Sequence, residues 1–121
     1  MASKEIYEKI LLEDPKNVSC LNNLANILLI IGNTNEAFYY FEQMLNEVPQ
    51  NIDRRLRVVD IYATIGDWSK VEEHLLICYK QKETDIRVIE RLLNLYKEKR
   101  ESKQIVKFEK RLNFLRQNKR N

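Results

Sequence analysis

Apolar residues spaced three and four apart recur along this chain with a period of about 34 residues. The first stripe and its two repetitions are Leu21, Leu24, Ala25 and Leu28, then Arg55, Val58, Val59 and Tyr62, then Ile89, Leu92, Leu93 and Tyr96. A second stripe, Ala37, Phe41 and Met44, recurs as Val71, Leu75 and Cys78. Such spacings place residues on one face of a helix, so the pattern predicts two kinds of amphipathic helix in alternation.

The glycines and prolines obey the same period. Pro15 and Pro49 lie one period apart, as do Gly32 and Gly66, and each glycine follows its proline by half a period. These breaks predict seven helices, at 3–13, 18–31, 34–47, 52–65, 68–81, 85–99 and 102–118. We expect a positive φ at both glycines. We expect Asn33 and Asp67 to cap the helices that follow, and Ser102 to cap the last helix, where no glycine precedes it.

This pattern resembles the tetratricopeptide repeat, whose signature joins apolar positions, a Leu-small pair, Ala-x3-Phe and a closing Pro at a period of about 34 residues. The first repeat matches it well, with Leu24-Ala25, Gly32, Ala37-x3-Phe41 and Pro49. Later repeats depart from it: Arg55 stands at the usual Trp position, and Glu109 at the usual Phe position.

The resemblance implies an all-α fold, a right-handed α-solenoid of about three and a half repeats and seven helices. Residues 1–121 are then expected to form one domain. Its parts are an N-terminal half-repeat (1–15), repeat one (18–49), repeat two (52–83) and a degenerate third repeat (86–118) with a C-terminal capping helix.

Composition agrees with a single domain, because 121 residues with 44% hydrophobic content can bury a core. The net charge of +3 is too small to indicate nucleic acid or membrane by itself. No apolar run approaches the length of a transmembrane helix, and the start lacks a secretion signal. Cys20 and Cys78 make no disulfide framework and are interpreted as packing residues, so we expect a cytoplasmic location.

No pattern of catalytic residues is evident. His74 is the only histidine and lies in the middle of a helix, where an ordinary surface or half-buried side chain is expected. There is no glycine-rich phosphate loop, no Cys/His cluster and no nucleophile motif. The sequence predicts a protein that is not an enzyme and has no catalytic, metal or cofactor-binding residues.

The resemblance implies that the first helices of successive repeats line a concave groove for a partner's peptide or helix. Candidate groove residues are Asn22, Asn26, Leu29, Ile30, Arg57, Asp60, Arg87, Arg91 and Asn94. Their spacing partly resembles the carboxylate clamp with which some co-chaperones hold chaperone tails, which favours an acidic peptide or a C-terminal carboxylate. The alternative is that Arg57 pairs with Asp53 or Asp60, and Arg87 with Glu90, as solvated surface charges.

Two other features bear on partners. Phe38, Tyr39, Tyr40 and Phe41 form a run of aromatics that one stripe cannot bury completely, so one or two are expected to be exposed as an interface patch. Residues 97–121 hold ten Lys/Arg against three Asp/Glu, which a solvated capping helix explains.

The sequence predicts a protein–protein interaction module, adaptor-like or co-chaperone-like. One alternative is self-association or docking as a scaffold subunit. Another, less favoured, is RNA or nucleoprotein binding through the basic C-terminal helix.

Overall fold

The computed structural model describes residues 2–119, and side chains for residues 4–118. Within this range the chain forms seven helices and no strand. They are α1 (Ala2–Glu13), α2 (Val18–Ile30), α3 (Thr34–Glu47), α4 (Ile52–Thr64), α5 (Trp68–Gln81), α6 (Ile86–Lys99) and α7 (Ser102–Lys119). The all-α fold is confirmed, and every predicted helix boundary lies within one residue of the observed one.

The chain divides after Asn51 into two compact units. In the first unit α2 packs against both α1 and α3. In the second unit α5 packs against α4 and α6, and α6 packs against α7. Within each unit, every helix thus packs on its neighbours in sequence, as short connections between helices require. That residues 1–121 form a single domain stays a prediction.

The turn between the two helices of each repeat is built in the same way three times. The backbone φ is +92° at Gly32, +77° at Gly66 and +56° at Arg100, and these residues lie at equivalent places in successive repeats. The next N–H donates to a carbonyl five residues back: Asn33 to Leu28, Asp67 to Tyr62 and Glu101 to Tyr96. The positive φ predicted for both glycines is confirmed, and Arg100 adopts the same left-handed conformation without glycine's freedom.

The predicted caps are only partly correct. The Asp67 carboxylate accepts a hydrogen bond from the Lys70 N–H at 3.2 Å, as predicted. Asn33 makes no side-chain cap bond, so that prediction is wrong; only its backbone carbonyl takes part, accepting the Ala37 N–H at 2.9 Å. Ser102 is also not the cap, because α7 begins at Ser102 and the cap position belongs to Glu101, whose carbonyl accepts from the Ile105 N–H.

The stripes read from the sequence form the cores of the two units. All of the stripe residues named above are buried, from Leu24 and Leu28 in α2 to Ile89 and Leu92 in α6. In α7, Phe108 is 2% exposed and stacks on Tyr96 at 5.8 Å between ring centroids. Its edge also meets the Tyr79 ring at 5.3 Å. α7 therefore packs through Phe108 into the core of the second unit.

The expectation for His74 is wrong, because its side chain is only 3% exposed. Its Nδ1 lies 2.7 Å from Nη1 of Arg55, which is itself buried, and its ring stacks on Tyr62. The guanidinium can only donate, so Nδ1 is the acceptor and His74 carries its proton on Nε2. His74 takes the position in α5 that Phe108 takes in α7, which is why it points into the core.

Candidate functional site

Arg87 lies at the start of α6 and connects that helix to α4. Asp85 caps α6 by accepting the Arg87 backbone N–H at 3.0 Å, and the Arg87 guanidinium returns to the same carboxylate through Nε and Nη2. Nη1 of Arg87 donates to Asp53 of α4. The bonds from Arg87 hold the pKa of Asp85 below its usual value, although burial alone would raise it. Arg87 is thus anchored by two carboxylates.

Arg91 lies one turn further along α6 and makes a second link to α4. Its Nε and Nη2 donate to the two carboxylate oxygens of Asp60, both at 2.9 Å, and Nη1 donates to the Arg87 carbonyl. Such a two-point pair fixes the plane of the guanidinium. The hydrogen bond to Asp60 raises the pKa of Arg91, which remains a cation throughout the physiological range.

Arg57 is exposed between these two pairs. Six residues line a surface depression of about 290 Å³: Asp53, Leu56, Arg57, Asp60, Arg87 and Arg91. We call these residues the α4–α6 surface. Among the described residues Arg57 has no hydrogen-bond or ion-pair partner, whereas the other two arginines do. Asp53, Asp60 and Asp85 together balance the three arginines, but all three carboxylates are paired with Arg87 and Arg91, so Arg57 is left as a cation that no described carboxylate contacts.

The structure therefore brings together four of the predicted groove residues, Arg57, Asp60, Arg87 and Arg91. Asn94 lines an adjoining depression with Asp60 and Arg91. The ion pairing that the sequence offered as an alternative does occur, but with different partners: Asp53 binds Arg87, Asp60 binds Arg91, and Glu90 binds Arg116. The first two pairs join residues about one period apart in the chain, and they meet because the repeat places α4 beside α6.

Sequence reasoning missed Asp85 as a site residue. It is buried and holds Arg87 from two positions upstream. The available signal was an Asp directly before a predicted helix, which is a common cap.

The remaining predicted groove residues lie on α2 in the first unit. Asn22 and Leu29 are half-buried there, Asn26 is exposed and Ile30 is 82% exposed. Asn23, which the prediction omitted, donates its amide N–H to the Tyr7 hydroxyl at 3.3 Å and so connects α2 to α1. A role for the α2 residues in binding stays a prediction.

The aromatic run is only partly exposed. Phe38 and Phe41 are buried, Tyr40 is half-buried and Tyr39 is 59% exposed, so the expectation of one or two exposed rings is confirmed. Tyr39 and Tyr40 line a cleft of about 410 Å³ with Leu12 and Glu8 of α1. Burial, together with Glu36 and Glu8, raises the pKa of Tyr40. Of the predicted patch, Phe38 does not reach the surface.

Among residues 4–118 no group of His, Cys, Asp or Glu side chains is arranged to hold a metal ion. None of the described helices has the length and hydropathy needed to cross a bilayer.

The paired helices, their common period and the repeated turn form a helical repeat fold similar to that of tetratricopeptide repeats. Comparison with known proteins agrees: residues 6–39, one full period, match the family model described as "Tetratricopeptide repeat". The resemblance seen in the sequence is thereby confirmed. No curated protein matches the sequence significantly.

Solved structures of MamA, a protein that contains tetratricopeptide repeats, share the fold. "MamA MSR-1 C2" superposes with a TM-score of 0.72 at 15% identity, over 96% of this chain and 67% of that one. "Crystal structure of MamA protein" superposes with a TM-score of 0.71 at 16% identity, over 93% of this chain and 62% of that one. A third, "Crystal structure of MamA", superposes with a TM-score of 0.58 at 18% identity, over 96% of this chain and 88% of that one.

In the second of these comparisons the chain spans less than two thirds of the matched protein. At such identities the likeness shows the fold alone.

Proposed function

We propose that the chain is a non-enzymatic protein-interaction module, an adaptor or scaffold, whose α4–α6 surface binds an extended acidic segment of a partner protein. The observation that carries this proposal is Arg57, an exposed cation without a partner among the described residues, in a depression whose other arginines are ion-paired. The tetratricopeptide match supports an interaction role, since proteins of this family serve mainly to bind other proteins. A cytoplasmic location is part of the proposal.

The paired arginines have a supporting role in this proposal. A guanidinium has five N–H donors, and Arg91 uses three of them within the described chain. Asp60 holds the remaining two in a fixed orientation, which reduces the conformational entropy lost on binding. A ligand carboxylate would therefore bind Arg57 first and add hydrogen bonds from Arg91.

This arrangement differs from the carboxylate clamp that the sequence resembles. A clamp needs several cations that are free for the ligand, whereas Asp53 and Asp60 here neutralise Arg87 and Arg91. The geometry supports a weaker site with one principal cation, for acidic side chains or a C-terminal carboxylate. Co-chaperone-like binding of a chaperone tail is the narrower form of the same proposal.

The test is fluorescence polarisation of the full chain with labelled acidic peptides, each with a free and an amidated C-terminus. Charge-assisted hydrogen bonds contribute about 1.5–3 kcal/mol, so Arg57→Ala should weaken binding about tenfold or more. Arg57→Lys should retain part of the affinity. Lys80→Ala, which removes an exposed cation from α5, is the matched control and should bind as wild type does.

A second variant, Asp60→Asn, should change the affinity for acidic peptides in the opposite direction. It frees Arg91 without removing any cation, so affinity for acidic peptides should rise. If Arg57→Ala binds every peptide as tightly as wild type and Asp60→Asn gains nothing, the α4–α6 surface is not the binding site. Loss of binding on amidation would indicate capture of a C-terminal carboxylate.

A further inference from the structure

The cleft between α1 and α3 in the first unit has apolar and aromatic walls. Its volume is about 410 Å³, which falls in the range of about 300–1,000 Å³ that is typical of ligand sites, and Leu21 of α2 forms part of its lining. Leu12 of α1 is 85% exposed and Tyr39 of α3 is 59% exposed. The rings of Tyr39 and Tyr40 meet edge to face, with their centroids 5.2 Å apart. The cleft therefore presents an open surface suited to a ligand.

The exposure of these walls is a property of their positions in the repeat. In α3, α5 and α7, which each pack on the first helix of their own repeat, the position of Leu12 is exposed too. Its occupants there are Asn46, Lys80 and Phe114. The position of Tyr39 is exposed in α5 and α7, where it is Glu73 and Lys107. These positions are thus exposed whether or not a first helix precedes them.

The second unit carries cations at the positions that form the cleft in the first unit. The equivalents of Leu12, Tyr39 and Gln43 between α5 and α7 are Lys80, Lys107 and Arg111. Packing within the repeat therefore does not require apolar residues at these positions. Apolar residues scattered singly over a surface need no explanation, but Leu12 and Tyr39 line one cleft together. Their clustering indicates a surface that another molecule covers.

The charge around this cleft is negative. Glu8 lines it, and neither Glu8 nor Glu36 has an ion-pair partner among residues 4–118. Burial, together with the charges of Glu36 and Glu8, raises the pKa of Tyr40. The two carboxylates thus disfavour a negative charge at the phenolic oxygen, and the same field favours a positive charge nearby. Residues 1–51 as a whole hold seven Asp/Glu against three Lys, so the surroundings of the cleft are acidic.

We propose that this cleft binds a lysine or arginine side chain carried by an extended apolar segment of a partner protein. The cation contacts the face of Tyr39, since the face of an aromatic ring attracts positive charge, and it approaches Glu8. An apolar neighbour of the cation covers Leu12. This site lies in the first unit and selects a basic segment, so it is independent of the α4–α6 surface and of the acidic segment proposed for that surface.

The experiment titrates the isotope-labelled full chain with a peptide of alternating leucine and arginine, blocked at both ends so that no terminal charge binds. Amide chemical shifts measured by NMR give both the affinity and the location. The peptide should shift the amides of Leu12 and Tyr39 with a dissociation constant below about 1 mM, and added salt should weaken the binding. A peptide with glutamine in place of arginine should bind at least about fivefold more weakly.

Variants at exposed positions test the two parts of the site without disturbing the core. Tyr39→Leu keeps an apolar side chain but removes the ring, so it should weaken binding of the arginine peptide about two- to fivefold, whereas Tyr39→Phe should bind as wild type does. Glu8→Gln/Glu36→Gln should weaken binding at least about threefold and reduce its salt dependence. The matched controls, Phe114→Ala and Glu109→Gln, change exposed side chains of α7 and should leave the affinity unchanged.

Three results overturn the proposal. The first is an arginine peptide that leaves the amides of Leu12 and Tyr39 unmoved. The second is equal affinity for the arginine and glutamine peptides, or equal affinity of Tyr39→Leu and wild type for the arginine peptide. The third is a shift of the same amides with protein concentration in the absence of peptide, because a second copy of the chain then occupies the cleft.

Discussion

Arg55 and His74 occupy the two positions in the second repeat that Ile89 and Phe108 occupy in the third. All four side chains are buried, so a hydrogen-bonded polar pair replaces an apolar pair at the same depth of the core. The cation must leave water to reach this position, and its bond to a neutral imidazole offsets only part of that free energy.

The first prediction is that this polar pair adds little net stability. Replacing both residues, Arg55→Leu with His74→Phe, should leave the free energy of unfolding unchanged or raise it by about 1–4 kcal/mol, because apolar side chains of that size suit the register. His74→Ala alone should lower it by about 3 kcal/mol, since a buried charge loses this acceptor and a cavity forms. Urea unfolding of the four members of the double-mutant cycle measures both effects.

The second prediction concerns the left-handed turns. No atom lies within 4 Å of a Cβ built at Gly66, so Gly66→Ala tests backbone conformation alone. It should lower the free energy of unfolding by about 1 kcal/mol. Arg100→Gly, at the equivalent turn, should raise it by up to about 1 kcal/mol, because φ is already +56° there.

Urea melts of these two variants must show opposite signs. A loss of stability in Arg100→Gly would mean that the side chain, rather than the turn, determines the effect at that position.

The third prediction compares two phenylalanines of α7. Phe108 is 2% exposed and contacts two tyrosine rings, whereas Phe114 is 53% exposed. Phe108→Ala should lower the free energy of unfolding by about 3–5 kcal/mol, and Phe114→Ala by less than about 0.5 kcal/mol. Thermal melts followed by circular dichroism distinguish them. Equal melting temperatures would show that α7 is not part of the core.

The fourth prediction is a pH dependence centred on Asp85. Its pKa is lowered in the folded state, mainly by the hydrogen bonds from Arg87. Its stabilising contribution is therefore complete above the unfolded pKa of about 4 and is lost as the pH falls through the lower folded pKa. Asp85→Asn should be less stable than wild type at pH 7, and the difference should shrink towards pH 2. A constant difference across that range would contradict this linkage.

The fold could be predicted from the sequence because, in a repeat protein, the same packing positions recur in each repeat. Gly32 and Gly66 locate two turns, and the period locates the third at Arg100 although no glycine marks it. A stripe position is buried even where a polar residue occupies it. Arg55, for example, is buried at the position that Leu21 occupies in the first repeat. At Arg55, the position within the period therefore predicted burial better than the residue type did.

The side chains that pair between repeats could not be predicted as well from the sequence. Arg57 and Asp60 lie close in sequence on α4, yet Asp60 binds Arg91 of α6. Choosing among several arginines requires the distance between helix axes and the rotamers, and periodicity supplies neither. His74 was misjudged for a related reason, since its buried partner Arg55 lies on a different helix, 19 positions away in the chain.

Packing between consecutive helices has a kinetic consequence. Within the first unit α1 meets α2 and α2 meets α3; within the second, α4 meets α5, α5 meets α6 and α6 meets α7. No segment of either unit must find a distant part of the chain before its contacts form, so the loops closed in the folding transition state are short. Low contact order of this kind is associated with folding in microseconds to milliseconds. Newly made helical hairpins can therefore bury their apolar stripes before the remainder of the chain has been synthesised.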